Sequence, residues 1–270
     1  MTMDAAGPPN IAHWLGVDAA GPADAPPIVF LHGASYTRKA WGMQLQALAD
    51  EFRVYALDLP GHGSCSHTEY DWDDSLEYVQ RFLRDIAGRP ALLVGVSLGG
   101  CLGVTIAGGD SDLLAGLIVS GSTFDARGHV CYLVLRGEAW TFRHREAQLT
   151  RRFQRWVRGR LPSEFAESIV AAGCHWESAA RAVISLTGRD FVAALGRYDG
   201  PALILNGDRD WVHRSAEGVF VRAAQNARAA TVPGGHIANL DAPEAFTAKV
   251  REFAREIFEH SPKDKVSHVR

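Results

Sequence analysis

Short apolar runs alternate along this chain with segments whose apolar side chains recur at helical spacing. Six runs have the length of buried strands and are bounded by Gly, Pro or Asp: residues 28–32, 53–57, 91–96, 113–120, 202–206 and 229–232. Residues 74–87 and 243–258 place their apolar side chains on one helical face. This alternation predicts an α/β fold, with a doubly wound, mostly parallel sheet covered by helices on both faces. An extra strand at the sheet edge is predicted over residues 11–17.

Helical patterns replace the strand candidates between residues 122 and 198. Four apolar side chains recur there at spacings of seven, four and three, which predicts one continuous helical stripe: Phe142, Leu149, Phe153 and Trp156. A second helix is predicted to begin at Ser163 as its N-cap, and a third to cover residues 176–186. A helical insertion of this kind predicts a cap over the carboxyl edge of the sheet, where ligands bind in open α/β folds.

The predicted organisation is one core interrupted by one helical cap. The core comprises residues 1–121 and 199–259, the cap residues 122–198, and a polar tail residues 260–270. The chain has 270 residues, of which 47% are hydrophobic and 22% charged, and this composition is typical of a globular protein. Its formal net charge of −3 argues against a nucleic-acid partner.

The N-terminal residues show no basic stretch followed by a long apolar one, and the longest apolar runs are far too short to cross a bilayer. We therefore expect a cytoplasmic protein with no signal peptide and no membrane partner. The four cysteines lack the spacing of metal ligands. We expect them to be reduced and structural, and we expect neither a metal nor a cofactor.

The segment Gly95-Val96-Ser97-Leu98-Gly99 has the G-x-S-x-G pattern between a buried strand and a helix that runs to about residue 107. A serine on so tight a turn needs glycines two residues to either side, because larger side chains would collide. The helix N-terminus behind it favours developing negative charge. The alternative is a glycine-rich turn with a capping serine, but the flanking strand and helix favour a nucleophile.

Further motifs, together with this turn, resemble the α/β-hydrolase superfamily over nearly the whole chain. They are His32-Gly33 followed by Trp41, the Asp-Leu-Pro-Gly-His-Gly run at 58–63, Gly207-Asp208-Arg209-Asp210, and Gly234-Gly235-His236. The resemblance implies that Ser97 is the nucleophile, His236 its general base and Asp210 the acid that orients the base, in the chain order of that superfamily. It also implies an oxyanion hole made by the backbone N–H groups of Ala34 and Leu98.

Other residues compete for some of these roles. Asp208 is a neighbouring acid that suits a turn, and Asp125 follows the strand from which some relatives take the acid. His62, like His32, belongs to a motif that shapes loops in the superfamily. The Gly-His-Gly run departs from the family pattern where Ser64 is followed by Cys65, and Cys101 is expected to be a buried structural thiol.

The resemblance favours hydrolysis of a small-molecule ester, thioester or lactone through an acyl-enzyme. A serine at the nucleophile position argues against haloalkane dehalogenases and epoxide hydrolases, whose relatives use aspartate. Amide, C–C bond and hydroxynitrile-lyase chemistry use similar triads and stay open. Two non-enzymatic classes also stay open: a ligand-binding receptor that retains the triad, and an interaction protein that uses the inserted helices.

Residues 127–160 include nine arginines and only two glutamates, so this stretch carries an excess of seven positive charges. The arginines are either a solvated helix face, or a basic surface that attracts an anionic substrate or an acyl carrier protein. The side chains expected to line the substrate pocket are His32, Trp140, Trp156 and Arg155.

Overall fold

Seven strands form one twisted sheet in the computed structural model, which describes residues 14–259. The strands are β1 (Val17–Ala20), β2 (Pro27–Leu31), β3 (Arg53–Leu57), β4 (Ala91–Val96), β5 (Leu114–Ser120), β6 (Ala202–Gly207) and β7 (Ala227–Val232). Their order is β1-β3-β2-β4-β5-β6-β7. Only β1 runs antiparallel to its neighbour, so the predicted mostly parallel sheet is confirmed.

The edge strand was predicted too early in the chain. β1 begins at Val17, which pairs with Leu57 of β3, and residues 11–13 lie outside the described residues. Gly16 has φ of +70°, a left-handed conformation that ends the preceding segment in a turn. Trp14 lies before this turn and packs against Tyr78 and Phe82 instead of continuing the strand.

Eleven helices accompany the strands within the described residues. They are α1 (Gly42–Leu48), α2 (Trp72–Phe82), α3 (Leu98–Gly109), α4 (His129–His144), α5 (Glu146–Arg158), α6 (Ser163–Ala172), α7 (Trp176–Ser185), α8 (Phe191–Leu195), α9 (Trp211–Ala223), α10 (Ala238–Asp241) and α11 (Pro243–Glu259). On one face of the sheet, α1 and α11 contribute to a core that includes Ile28 and Phe30 of β2; on the other, α2, α3, α8 and α9 contribute to a core that includes Val29 and Leu31. Successive side chains of one strand therefore enter two separate cores, as a doubly wound sheet requires.

The two helices predicted beside the core strands are present. The first begins at Trp72, two residues earlier than predicted, because the Asp71 carboxylate caps it by accepting the N–H groups of Asp73 and Asp74. It continues after Phe82 as a π-helical turn over Leu83–Ala87. Three further helices of the core, α1, α9 and α10, were not predicted. In α9 only Phe220 is buried, so its sequence lacks a clear apolar stripe.

Five helices, α4 to α8, lie between β5 and β6. The predicted continuous stripe is wrong, because the chain breaks at Arg145 and divides it between α4 and α5. Phe142 on α4 therefore packs against Trp176, whereas Phe153 on α5 stacks on Tyr36. Ser163 is the first residue of α6 and not its N-cap, which is Pro162. The helix predicted over 176–186 matches α7 to within one residue.

Within residues 14–259, no helix combines the length and the apolar character that crossing a bilayer would require.

Candidate active site

Ser97 lies in the sharp turn that joins β4 to α3. It has φ of +54°, and among residues 14–259 it is the only non-glycine residue with a positive φ. Such a sparsely populated conformation costs about 1–3 kcal/mol and is found where the surrounding structure enforces it. A Cβ on Gly95 would collide with the backbone of Gly99, and a Cβ on Gly99 with the backbone of Leu31. The G-x-S-x-G pattern is thus needed for the turn to fit against β2.

The loops that follow β6 and β7 bring an acid and a base to this serine. The His236 Nε2 atom lies 3.0 Å from Ser97 Oγ, and its Nδ1 atom lies 3.3 Å from Asp210 Oδ2. The Asp210 side chain is only 6% exposed, whereas that of His236 is 44% exposed. The three residues that the sequence selected therefore form one hydrogen-bonded chain at the carboxyl edge of the sheet. This is the arrangement that a hydroxyl nucleophile needs for activation.

Gly121, directly after β5, makes room for the His236 ring. It has φ of +58°, and its N–H donates to the side-chain oxygen Oδ1 of Asn206 at 2.9 Å. A Cβ at this position would lie 2.7 Å from His236 Nδ1 and 2.9 Å from its Cε1. The absence of a side chain at this position therefore leaves the space that the imidazole occupies next to its hydrogen bond to Asp210.

A second histidine, His213, shares the Asp210 carboxylate. Its Nδ1 atom lies 2.9 Å from each carboxylate oxygen, closer than the corresponding atom of His236. Its ring stacks on that of His236, with centroids 4.7 Å apart and planes at 25°. Sequence reasoning missed His213 because it did not predict α9, whose first turn places this residue three positions after Asp210.

Burial and hydrogen bonding set the charge states of this cluster. Burial would raise the pKa of the Asp210 carboxyl, but the hydrogen bonds from His213 and His236 outweigh it and hold the pKa far below its usual value. Burial lowers the pKa of His213 and outweighs the hydrogen bond to Asp210, which raises it; the proximity of His236 also lowers it. Asp210 is therefore a carboxylate and His213 a neutral ring that donates its Nδ1–H near pH 7.

The same three side chains are the group among the described residues that could hold a metal ion. Each of Asp210, His213 and His236 offers one ligand atom, and these atoms lie within 4.8 Å of one another. Both Nδ1 atoms are engaged by the carboxylate, so a bound cation would compete with the hydrogen bond that orients His236. The cluster thus suits proton transfer without a metal.

The competing acids have other partners. The Asp208 Oδ1 atom accepts the N–H of Gly234 at 2.9 Å, which fixes the turn before His236. Asp125 forms an ion pair with Arg127, at 2.9 Å from its Nε atom. Among these three aspartates, only Asp210 contacts the imidazole. Cys101 is buried on α3, where burial raises the pKa of its thiol.

The predicted oxyanion donors flank the serine. Ala34 lines the cavity above Ser97, and Leu98 is the first residue of α3, where a backbone N–H has no acceptor within its own helix. The Gly99 N–H donates to the His32 carbonyl at 3.2 Å. This hydrogen bond links the serine turn to the loop that contains Ala34. The oxyanion role of these two residues stays a prediction.

His32 does not line the cavity, although the sequence suggested that it would. It is buried, its Nδ1 atom lies 2.8 Å from the Gly33 carbonyl, and its Nε2 atom accepts the Leu59 N–H at 3.0 Å. Burial lowers the pKa of His32 well below its usual value, which keeps the ring neutral and able to accept. This histidine joins the ends of β2 and β3 beneath the site.

A cavity of about 640 Å³ opens directly above Ser97 and His236. Most of its wall is apolar or aromatic. Its lining includes Tyr36, Phe124, Val130, Cys131, Val134, Leu135, Phe142, Leu149, Trp176, Val183, Leu186 and Val212. Most of these residues come from the helices between β5 and β6, so the insertion supplies much of the wall. A cavity of this size holds a small organic molecule.

The other three predicted pocket residues also lie elsewhere. Trp140 is 53% exposed, stacks on His144 and lines a separate cavity. Trp156 stacks on Phe153, and Arg155 is exposed on the same helix. The break at Arg145 accounts for the difference, because α5 turns its apolar face toward α6 and the segment around residue 40.

All nine arginines between residues 127 and 160 are exposed, and several are bound by neighbouring groups. Arg143 forms an ion pair with Glu177, and Arg158 forms one with Glu167. Only Arg127 lines the cavity above Ser97, and it binds Asp125 and Asp190. The structure therefore favours the interpretation of these arginines as a solvated surface.

Comparisons with known proteins agree with this architecture. Residues 28–249 match the model of the alpha/beta hydrolase family. A pimeloyl-[acyl-carrier protein] methyl ester esterase of Vibrio cholerae is 37% identical over 103 residues, which is 37% of this chain and 39% of the relative. The match thus spans about two fifths of that relative's length. The enzyme of the same name from Nitrosospira multiformis is 24% identical over 252 residues, covering 86% of this chain and 95% of its own.

Solved structures show the same fold. A hydrolase from Pseudomonas aeruginosa superposes with a TM-score of 0.74 at 23% identity, covering 88% of this chain and 92% of that one. An enol-lactonase from Burkholderia xenovorans superposes with a TM-score of 0.70 at 21% identity, covering 88% of this chain and 95% of that one. With the family match over most of its length, the sheet order and the serine turn, this chain belongs to the alpha/beta hydrolase family.

Proposed function

We propose that this protein is a serine hydrolase that cleaves a small-molecule carboxylic ester, thioester or lactone through an acyl-enzyme. The observation that carries the proposal is the hydrogen-bonded chain from Ser97 Oγ through His236 to Asp210, with Oγ 3.0 Å from Nε2. A serine hydroxyl becomes an effective nucleophile only when a base within hydrogen-bond distance removes its proton. The relatives named as methyl ester esterases and as an enol-lactonase support the same class of bond.

The first half of the reaction forms the acyl-enzyme. Ser97 Oγ attacks the substrate carbonyl carbon while its proton passes to His236 Nε2, and the carbonyl oxygen becomes an oxyanion. The backbone N–H groups of Ala34 and Leu98 donate to that oxyanion. When the tetrahedral intermediate collapses, His236 returns the proton to the leaving alcohol or thiol, and the acyl group stays on Ser97.

In the second half of the reaction, water is the nucleophile and Ser97 is the leaving group. His236 removes a proton from water, the hydroxide attacks the acyl carbon, and Ser97 leaves with the proton that His236 returns. Each time His236 becomes an imidazolium, the Asp210 carboxylate balances its charge. Neutral His213 holds that carboxylate through its Nδ1–H without placing a second positive charge against the His236 ring.

A carrier-bound acyl ester is a second candidate within this class. The relatives that are named for an acyl-carrier-protein substrate favour it, as does the exposed basic surface of α5. The carrier would dock on that surface while its acyl chain enters the apolar cavity. The small-molecule ester is better supported, because part of the basic surface is already neutralised: Arg143 pairs with Glu177 and Arg158 with Glu167.

The test is a substrate screen with a matched variant. Wild-type protein and Ser97→Ala are assayed with p-nitrophenyl esters of graded chain length, with lactones and with acyl thioesters. We expect turnover of at least one class by the wild type and a loss of about a thousandfold or more in the variant, whose circular dichroism should be unchanged. Full activity in Ser97→Ala would contradict the proposal. So would tight binding without turnover of any ester, which would indicate a receptor.

A further inference from the structure

The helix α4 presents one carboxylate to the cavity in an otherwise apolar stripe. Cys131, Leu135, Glu138 and Phe142 are spaced by four, three and four residues, which places them on one helical face. All four line the cavity above Ser97. At the position of Glu138 the spacing calls for an apolar residue that packs into the wall. A glutamate there has no role in packing the helix.

No cation of the described chain neutralises this carboxylate. The arginines on α4 have other partners, since Arg136 donates to the Tyr132 hydroxyl and Arg143 pairs with Glu177. Both line a second cavity on the other side of the helix. One further charged pair lines the cavity: Asp125 forms an ion pair with Arg127, and Arg127 also forms an ion pair with Asp190.

The surroundings of Glu138 disfavour its negative charge. Its side chain is open to the cavity, yet enough protein encloses it that desolvation raises its pKa, while the nearby His236 acts in the opposite direction. Glu138 is nevertheless exposed to the cavity, so its carboxylate is partly solvated, and it forms no salt bridge within the described residues. A cationic ligand bound in the cavity would pair with it.

Two aromatic rings line the same cavity as the carboxylate. Phe142 follows Glu138 by one helical turn, and its ring lies 5.4 Å from that of Trp176 at an angle of 41°. The Trp176 indole N–H donates to Thr150 Oγ1 at 2.7 Å, which fixes the ring in place. Aromatic faces attract ammonium groups, and most strongly where water is excluded, so rings next to a carboxylate are a typical environment for a quaternary or alkyl ammonium ion.

We propose that Glu138, Phe142 and Trp176 form a subsite for a cationic ammonium group of the substrate. The inference rests on the proposed ester hydrolysis and names its substrate class, an ester that carries a positive charge. It replaces the anionic substrate that the arginine-rich sequence suggested, because eight of those nine arginines do not line the cavity, whereas the unpaired charge that does line it is negative.

The first experiment compares esters that differ only in charge. A choline ester is matched with its 3,3-dimethylbutyl isostere, and an ester of a trimethylammonio acid with its tert-butyl isostere, so that the cation lies on the alcohol or on the acyl side. We expect kcat/KM to favour the cationic member of at least one pair by about tenfold. In Glu138→Gln this ratio should fall to about one. Glu146→Gln, an exposed site on α5 outside the cavity, should keep the wild-type ratio.

The second experiment measures binding without turnover. Calorimetric titration of the wild type with benzyltrimethylammonium should show one site per chain, and Glu138→Gln or Trp176→Leu should weaken its affinity at least fivefold. Loss of ester hydrolysis in every assay, with this binding intact, would refute the proposed function but leave the subsite. Hydrolysis of the neutral isosteres, with no cation preference and no ammonium binding, would overturn the subsite alone.

Discussion

Replacing Gly121 by alanine tests how closely the backbone after β5 supports His236. The new methyl group would lie 2.7 Å from Nδ1, where ordinary contacts begin near 3.4 Å, so the ring would have to retreat by about 0.7 Å. The hydrogen bonds that the ring makes, 3.0 Å to Ser97 and 3.3 Å to Asp210, leave little room for that movement. A misplacement of about 1 Å in a reacting group costs about a hundredfold in rate, so we expect kcat to fall about 30- to 100-fold.

The same change has a separate and smaller effect on stability. Alanine at φ of +58° costs about 1–2 kcal/mol, because its Cβ approaches the following carbonyl oxygen. Gly88→Ala provides the matched control, since Gly88 has φ of +67° and no atom lies within 4 Å of a Cβ built there. Both variants should lose the stability that the positive φ costs in urea unfolding, and Gly121→Ala should lose more, because its Cβ would also lie 2.9 Å from the His236 carbonyl oxygen; only Gly121→Ala should lose turnover of a p-nitrophenyl ester. Wild-type kcat in a folded Gly121→Ala protein, or an equal loss in Gly88→Ala, would refute the reasoning.

Three further predictions concern the acid, the buried histidines and the arginines. Asp210→Asn should lower kcat by about a thousandfold or more, because His236 loses the carboxylate that orients it, whereas Asp208→Asn and Asp125→Asn should have far smaller effects; a severe loss in Asp125→Asn would show that the acid is misassigned. Burial lowers the pKa of His32, His62 and His213, so the unfolded chain, with histidine pKa values of about 6.5, binds more protons below that pH. The free energy of unfolding should therefore fall as the pH is lowered from about 7 to about 5, and a flat or opposite trend in urea titrations would contradict the assigned neutral rings. Because the arginines of the 127–160 stretch are exposed, added salt should not raise KM for an anionic ester more than for a neutral ester of equal length, and a rise for the anionic ester alone would favour the basic surface as a docking site.

The sequence was sufficient for features that depend on local chemistry. Six core strands were located because each is a short apolar run between turn residues, and all six lie within two residues of the predicted bounds. Ser97, Asp210 and His236 were selected because each follows a strand in a motif that resembles the α/β-hydrolase superfamily. Parallel strands carry such residues to one edge of the sheet, where the structure brings the three side chains together.

Features that depend on how distant segments meet could not be predicted in this way. His213 shares the carboxylate only because α9 begins at Trp211, and that helix has too few buried residues to show an apolar stripe. Trp156 was predicted to line the pocket because the seven-residue spacing from Phe142 to Leu149 does not reveal that the helix breaks at Arg145. Glu138 was counted only as one of two acids among nine arginines, since a linear charge count cannot show which side of a helix faces the cavity.

The most direct test of the account is to find which residue reacts with a serine-directed reagent. Wild-type protein is incubated with a fluorophosphonate, its intact mass is measured, and the modified peptide is sequenced by mass spectrometry. We predict one adduct per chain on Ser97, none in Ser97→Ala, and much slower labelling in His236→Ala because the hydroxyl then lacks its base. A stoichiometric adduct on any other residue, or no adduct on folded wild-type protein, would contradict the assignment of Ser97 as the nucleophile.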